Sequence, residues 1–365
     1  MRALFAAGGT GGHIYPALAV AKELLNSRPA ARVKFVGTAR GLETKLVPQA
    51  GFELLLIESA GLMNMSLKQQ LYGMYLLPKS LLAARRLLQK FRPSVVVGAG
   101  GYVTGPVLLV AALAGIPTLV MESNAVPGFT NRQLARFVDA AAVSFAETVA
   151  YFPGKAVVTG NPVRREFFDI PAKVRDPVRF SLLLFGGSQG ARAVSEAMLE
   201  ALPGLEPYRD RLHITHQTGP LDFERIRAAY AQANWSERAT VREYIDDMVT
   251  AFAAADVIIS RAGATTSFEL MAAGRTAIMI PLPGQQEQQR NAEVLQQAGA
   301  ARMILQQNLT GDSLAAEITA LLNDPAEIIR REQSARGLAK PNAAAETVKL
   351  IEQLLAISRQ HSAKN

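Results

Sequence analysis

Short apolar runs alternate with helix-spaced stretches from one end of the chain to the other. RALFAA, RVKFVGT, FELLLIE, SVVVGAG, TLVME and AAAVSF are apolar enough to be strands covered on both faces. Segments between them, such as PALAVAKELL and PVLLVAALAG, carry the helical pattern. Buried strands joined by helices predict a parallel sheet with helices on both faces, the α/β class. After the charged, proline-punctuated NPVRREFFDIPAKVRDPV the alternation restarts with FSLLLFGG and continues through RLHITHQT, TVREYI, DVIIS, TAIMIPL and ARMIL. A glycine loop follows the first strand of each half, GGTGGH from residue 8 and GGSQGA from residue 186. The weak repeat predicts two Rossmann-like, doubly wound domains facing a cleft, at residues 1–162 and 163–340. A tail, 341–365, carries a last helix, AAAETVKLIEQLLAI, that can pack back on either domain, the N-terminal one among them.

Composition narrows this picture. At 365 residues the chain is long enough for two cores. It is 49% apolar, yet its longest apolar stretch is broken by Gly115 and Pro117, so no spanning helix is expected. The apolar residues before the first glycines are too few for a secretory leader, which places the protein in the cytoplasm. The absence of cysteine removes disulfides, thiolate metal sites and cysteine nucleophiles, and four histidines, His13, His213, His216 and His361, do not predict a histidine-rich metal site. A net charge of +8 attracts nucleic acid, anionic lipid or phosphorylated ligands. Without an aromatic stacking series or a recognisable basic helix, nucleic acid is the weakest of the three.

The glycine loops carry the chemistry. In a strand, loop, helix unit, glycines let the backbone approach a ligand, and the helix N-terminus offers N–H groups and a positive dipole end to an anion. Pro16 marks the expected helix start after GGTGGH. A third loop, GAGGYVTGP at 98–106, also lies between a strand and a helix. Any one of these could be only a tight turn; three at strand ends point to a phosphate or polar sugar group. None has the lysine of a P-loop, and the first two lack the G-x-G-x-x-G spacing of dinucleotide sites. In DVIISRAGATTSFEL, GATTS opens a helix that can hold a diphosphate, and Glu269 follows where a carboxylate can take both ribose hydroxyls. Taken alone, Glu269 could equally be a solvated helix residue.

The order GGTGGHIYPALA, GGYVTGP, GNPVR, GGSQGA, YIDDM, RAGATTSFE resembles the GT-B nucleotide-sugar glycosyltransferases, and within them the family that adds N-acetylglucosamine to lipid I for peptidoglycan synthesis. The resemblance covers about residues 1 to 330. It implies that UDP-N-acetylglucosamine binds mainly to the C-terminal domain, with uracil near Ile245 and ribose on Glu269. Ser188 and the turn Ala264, Thr265, Thr266, Ser267 and Phe268 would hold the diphosphate, with Arg164 adding charge. Gln288 would read the sugar, although Glu287 stands where the family commonly has histidine. Thr10, Gly11, Gly12 and Asn124 would close from the N-terminal side, and Gly101, Tyr102 and Thr104 would meet the acceptor. MESN at 121–124 departs from the family's common HEQN but keeps Glu122 and Asn124.

The implied reaction is attack by the C4 hydroxyl of N-acetylmuramic acid on the anomeric carbon, with UDP leaving and the configuration inverting. His13 is the first candidate for the base and Glu122 the second; a role for His13 only in shaping the loop is the competing reading. The helix dipole is expected to keep His13 neutral. No D-x-D occurs, Asp246 and Asp247 being adjacent, so neither a metal nor another cofactor is implied. A lipid-linked acceptor implies a peripheral protein at the cytoplasmic face of the plasma membrane, touching anionic lipid and other cell-wall synthesis proteins. Residues 62–77, apolar nearly all round with basic flanks, are the membrane candidate. Residues 80–91 read instead as a crossover helix with Leu81, Ala84, Leu87, Leu88 and Phe91 on one side and Leu82 misplaced among basic residues. The rivals are a UDP-N-acetylglucosamine 2-epimerase of the same architecture and a GT-B transferase for another glycolipid.

Overall fold

The computed structural model describes residues 1–59 and 67–362, without the side chains of 67–74, 359, 361 and 362. The chain divides into two compact units, Met1–Val163 with Asn342–Asn365, and Arg164–Pro341.

The first unit holds strands β1 (Arg2–Ala7), β2 (Arg32–Gly37), β3 (Glu53–Leu56), β4 (Val95–Gly100), β5 (Thr118–Glu122), β6 (Ala140–Val143) and β7 (Ala156–Val158). They form one parallel sheet in the order β3-β2-β1-β4-β5-β6-β7. Its helices are α1 (Gly11–Ser27), α2 (Glu43–Gln49), α3 (Leu67–Phe91), α4 (Thr104–Leu113) and α5 (Phe129–Leu134). The two faces of β1 show why its sequence reads as a run and not an alternation. Ala3, Phe5 and Ala7 pack with α1, while Leu4 and Ala6 share a cluster with Ala84, Leu88 and Phe91 of α3 and Leu108 of α4. Residues 80–91 are therefore a crossover helix on the sheet, and Leu82 is exposed. Of the proposed membrane stretch, 62–66 and the side chains of 67–74 lie outside the described residues; Tyr75 and Leu77 are exposed.

In the second unit, β8 (Phe180–Phe185), β9 (Leu212–Gln217), β10 (Ala239–Arg242), β11 (Val257–Ser260), β12 (Ala277–Met279) and β13 (Ala301–Met303) make a parallel sheet ordered β10-β9-β8-β11-β12-β13. Helices α6 (Arg192–Leu205), α7 (Phe223–Gln232), α8 (Met248–Ala254), α9 (Ala264–Ala273), α10 (Gln286–Gln297), α11 (Gly311–Asn323) and α12 (Pro325–Gly337) cover it. Trp235 and Tyr230 are buried among Leu182, Leu184, Met198 and Ile226. The final helix, α13 (Ala343–Ser362), belongs to the first unit, where Val348, Leu350 and Ile351 join the cluster of Phe5 and α1. Among the described residues no helix is long and apolar enough to cross a membrane.

Strand order reverses between β1 and β4 in one sheet and between β8 and β11 in the other. At such a switch point the two C-terminal strand ends diverge to opposite sides and leave a crevice for ligand. All the glycine loops singled out above leave strands at these two points. One local expectation fails, and one strand went unread. The helix after GGTGGH starts at Gly11, with Pro16 well inside it. Glycines fill its first turn, so the hydrogen bond missing at Pro16 falls on Gly12. The unread strand is β7, half-exposed at the sheet edge, whose apolar run of 3 residues is too short to stand out.

Candidate active site

At the first switch point the His13 ring lies between two glycine loops. Its Nδ1 is 3.2 Å from the Gly8 carbonyl oxygen. A carbonyl only accepts, so Nδ1 carries the proton and Nε2 of the neutral ring keeps its lone pair. Burial lowers the His13 pKa, while the Gly8 hydrogen bond and the charge of Glu43 pull it upward. Burial is thus the leading cause of neutrality, in place of the helix dipole expected from sequence. Gly100, at φ +111°, makes room for the ring: a Cβ there would stand 2.5 Å from His13 Cδ2. At Gly101, φ +82°, a Cβ would meet the Gly8 oxygen at 2.3 Å. These two positions require glycine for both reasons.

His13 opens onto a cavity of about 490 Å³ lined also by Gly101, Tyr102, Glu122 and Asn124 and by the apolar Leu81, Leu109, Leu134 and Phe137. Glu122 is buried and fully engaged. Its Oε1 accepts from the Asn124 backbone (2.9 Å) and side chain (3.1 Å), and its Oε2 from Gly128 N (3.2 Å) and Asn131 Nδ2 (2.8 Å). Burial raises its pKa and the four donors lower it. Satisfied by its own loop, this carboxylate clamps residues 123–131, which argues against it as the alternative base. Thr104 is likewise used internally. Its buried hydroxyl donates toward Ala6 O (3.1 Å) or Gly100 O (2.8 Å) and accepts from Gly100 N (3.1 Å), tying β1 to the third glycine loop without facing the cavity. Thr10 is exposed at the start of α1, and no side chain caps the N–H groups of Gly11 and Gly12 that follow it.

The second switch point presents the C-terminal candidates. Helix α9 begins at Ala264 after Gly263, again without a side-chain cap, and the buried Thr265 hydroxyl has no hydrogen-bond partner among the described residues. A helix start with free N–H groups and an orphaned hydroxyl suits a diphosphate. Ser267 and Phe268 are turned inward. Ser267 donates both its N–H (2.9 Å) and its hydroxyl (3.0 Å) to Gly263 O, leaving neither for a ligand. Glu269 has Arg164 as its one ion-pair partner among the described residues, at 3.9 Å, and burial pushes its pKa up to about 7 against the pull of that arginine. Arg164 itself lies over the Phe167 ring and is half-exposed. Ser188 is exposed in the loop after β8. Gln288 accepts from Leu282 N (3.1 Å), which fastens the loop before α10.

Two residues that hold the candidate site together escaped sequence reading. Gln217 bridges the second unit's elements, donating to Gly187 O (3.0 Å) and accepting from Ile245 N (2.8 Å). The Ile245 N–H is therefore occupied, and its carbonyl is the group left for a ligand. Glu43, buried beneath the first glycine loop, is the other. The three glycines around it, Gly8, Gly37 and Gly41, were a signal of a close-packed group, but only Gly8 belonged to a recognised motif.

The N-terminal domain signature of glycosyltransferase family 28 matches residues 3–143 and its C-terminal domain signature residues 181–354. The chain belongs to this family. A protein from Anaeromyxobacter sp., named UDP-N-acetylglucosamine--N-acetylmuramyl-(pentapeptide) pyrophosphoryl-undecaprenol N-acetylglucosamine transferase, is 46% identical over 360 residues, 97% of this chain and 94% of its own. The crystal structure of Acinetobacter baumannii MurG matches at a TM-score of 0.79 and 36% identity, over 96% of this chain and 99% of that one. The two parallel-sheet units are thus those of a GT-B glycosyltransferase. A Neisseria meningitidis UDP-GlcNAc 2-epimerase bound to UDP-GlcNAc matches at a TM-score of 0.69 with 14% identity, over 97% of this chain and 100% of that one, a likeness of fold alone.

Proposed function

We propose that this enzyme transfers N-acetylglucosamine from UDP-N-acetylglucosamine to the C4 hydroxyl of N-acetylmuramic acid in lipid I, giving lipid II for peptidoglycan synthesis. The observation that carries the assignment to the site is His13, a neutral imidazole whose Nε2 has no partner among the described residues, on a cavity that combines polar groups with an apolar lining. A sugar hydroxyl on a lipid-linked acceptor suits both kinds of lining.

The Nε2 lone pair takes the C4 hydroxyl proton as the oxygen attacks the anomeric carbon from the side opposite UDP, forming a β-1,4 bond. The α9 start, Thr265 and Arg164 stabilise the departing diphosphate, and Glu269 holds the ribose. Gly101 and Tyr102 bound the acceptor, with Thr104 holding their loop. Thr10, Gly11, Gly12, Asn124, Ser188, Gln288 and the Ile245 carbonyl complete the contacts to substrate. Exposed Tyr75, Leu77, Leu113 and Phe137 with Arg85 and Arg86 support a peripheral approach to an anionic membrane surface, the cytoplasmic face where such a donor is available.

Turnover of UDP-N-acetylglucosamine with a lipid I analogue in detergent, following UDP release and the disaccharide, tests the reading. His13→Ala is expected to lower kcat about a hundredfold or more and to leave the Kd for UDP-N-acetylglucosamine near wild type. A full rate in that variant would remove His13 as the base. UDP-sugar isomerised without a disaccharide would convert the assignment to an epimerase.

A further inference from the structure

The peptide group joining Gly8 and Gly9 is engaged at both ends. Its carbonyl accepts from His13 Nδ1 at 3.2 Å, and its N–H donates to Glu43 Oε2 at 2.9 Å. The Glu43 carboxylate comes from the first residue of α2 and is fully buried. Its other oxygen accepts from the Thr38 backbone and hydroxyl, each at 2.8 Å. The glycines around it leave no space to spare: a Cβ on Gly8 would stand 2.8 Å from Oε1, on Gly37 2.5 Å from Cγ, and on Gly41 1.9 Å from Oε2. Leu42 N also donates to the Gly9 oxygen at 3.4 Å, so the start of α2 grips the loop on both sides of Gly9.

We propose that Glu43 is a positioning residue for the transfer reaction, acting on His13 through the Gly8–Gly9 peptide as a carboxylate, peptide, imidazole relay. An ionised acceptor on the N–H side polarises the peptide and strengthens its carbonyl as an acceptor. The stronger carbonyl holds the proton on Nδ1, orients the ring and makes Nε2 more basic, the part a carboxylate plays when bonded directly to a histidine. The negative charge of Glu43 acts in the same sense, raising the His13 pKa. The other titratable or charged groups around the ring's cavity are Glu122 from the end of β5, Tyr102 from the loop before α4 and Arg136 after α5. Two of these are accounted for by position: Glu122 is saturated by its own loop, and Arg136 stands over the Phe137 ring. Because no direct bond joins Glu43 to His13, pairwise reading of the sequence does not connect them.

The relay rests on His13 serving as the base, and the test separates the two. Nitrogen-15 NMR of the His13 ring in the wild-type protein is expected to show the Nδ1–H tautomer. The Nε2–H tautomer would overturn the relay. In Glu43→Gln the His13 titration is expected to move to lower pH, and the acid limb of kcat to move with it. The plateau kcat should fall about tenfold, with native backbone amide NMR shifts in β1 and α1 as the check that the first unit is folded. An unmoved His13 titration in that folded variant would overturn the proposal. A moved titration with an unmoved kcat profile would keep the coupling of Glu43 to His13 but overturn its part in the transfer, and would remove His13 as the base.

Discussion

Three sheltered glutamates, two in the first unit and one in the second, stand in opposite states. In the first unit, Glu43 and Glu122 are saturated by donors of their own backbone and neighbouring side chains. In the second, Glu269 is partly buried, has one cation among the described residues at 3.9 Å and has a pKa pushed up to about 7. A carboxylate satisfied by its fold stiffens that fold. One left short of partners costs stability and keeps its acceptor oxygens for a ligand. The contrast separates glutamates that build loops from the glutamate proposed to bind.

Removing a clamp is expected to have the largest effect. Glu122→Ala leaves buried donors of Asn124, Gly128 and Asn131 unpaired and should cost about 3 kcal/mol of stability. Denaturant unfolding of the variant reads this, and a loss below about 1 kcal/mol would erase the distinction drawn above.

Removing the binder should have a smaller effect of another kind. Glu269→Gln is expected to raise the KM for UDP-N-acetylglucosamine about tenfold or more without lowering the thermal midpoint. A stability loss like that of Glu122→Ala would show Glu269 to be structural.

The smallest effect is in pH dependence. The folded pKa of Glu269 lies above its ordinary 4.5, so the folded chain holds the extra proton between about 4.5 and 7. Glu269 then lowers stability as pH rises through that window, and the Gln variant should lack this fall. Ribose hydroxyls donate to the ionised form, so donor binding should tighten as pH rises toward 7 and release protons below it. Calorimetry in buffers of different ionisation enthalpy measures that release; no release in wild type, or the same release in Glu269→Gln, would contradict the role.

The same contrast explains what the sequence disclosed. Strand runs, glycine loops and Glu269 sit within local patterns whose spacing reports their geometry, so the α/β architecture and the loop positions were legible. Partnerships across long separations were not. Glu43 meets Gly9 thirty-four positions away, and Gln217 meets Ile245 at twenty-eight. Thr104 lies in a recognised motif, but its use within the fold depends on Ala6 in β1, far away in sequence. Ser267 points inward because its hydroxyl returns to the preceding turn, a choice that composition leaves open. The tail was undecided for a related reason: one apolar face fits any complementary groove.

The docking of α13 bears on the order in which the chain acquires its structure during synthesis. The second unit is continuous and has all its strands and helices once Pro341 has been made. The first unit, begun earlier, still lacks Val348, Leu350 and Ile351 against the Phe5 side of its sheet, and Glu352 for its ion pair with Arg28. The half translated first is therefore the half completed last. Until residues 343–362 leave the ribosome, the layer containing α1 stays partly uncovered, an interval in which a nascent chain is open to chaperones and to misassociation.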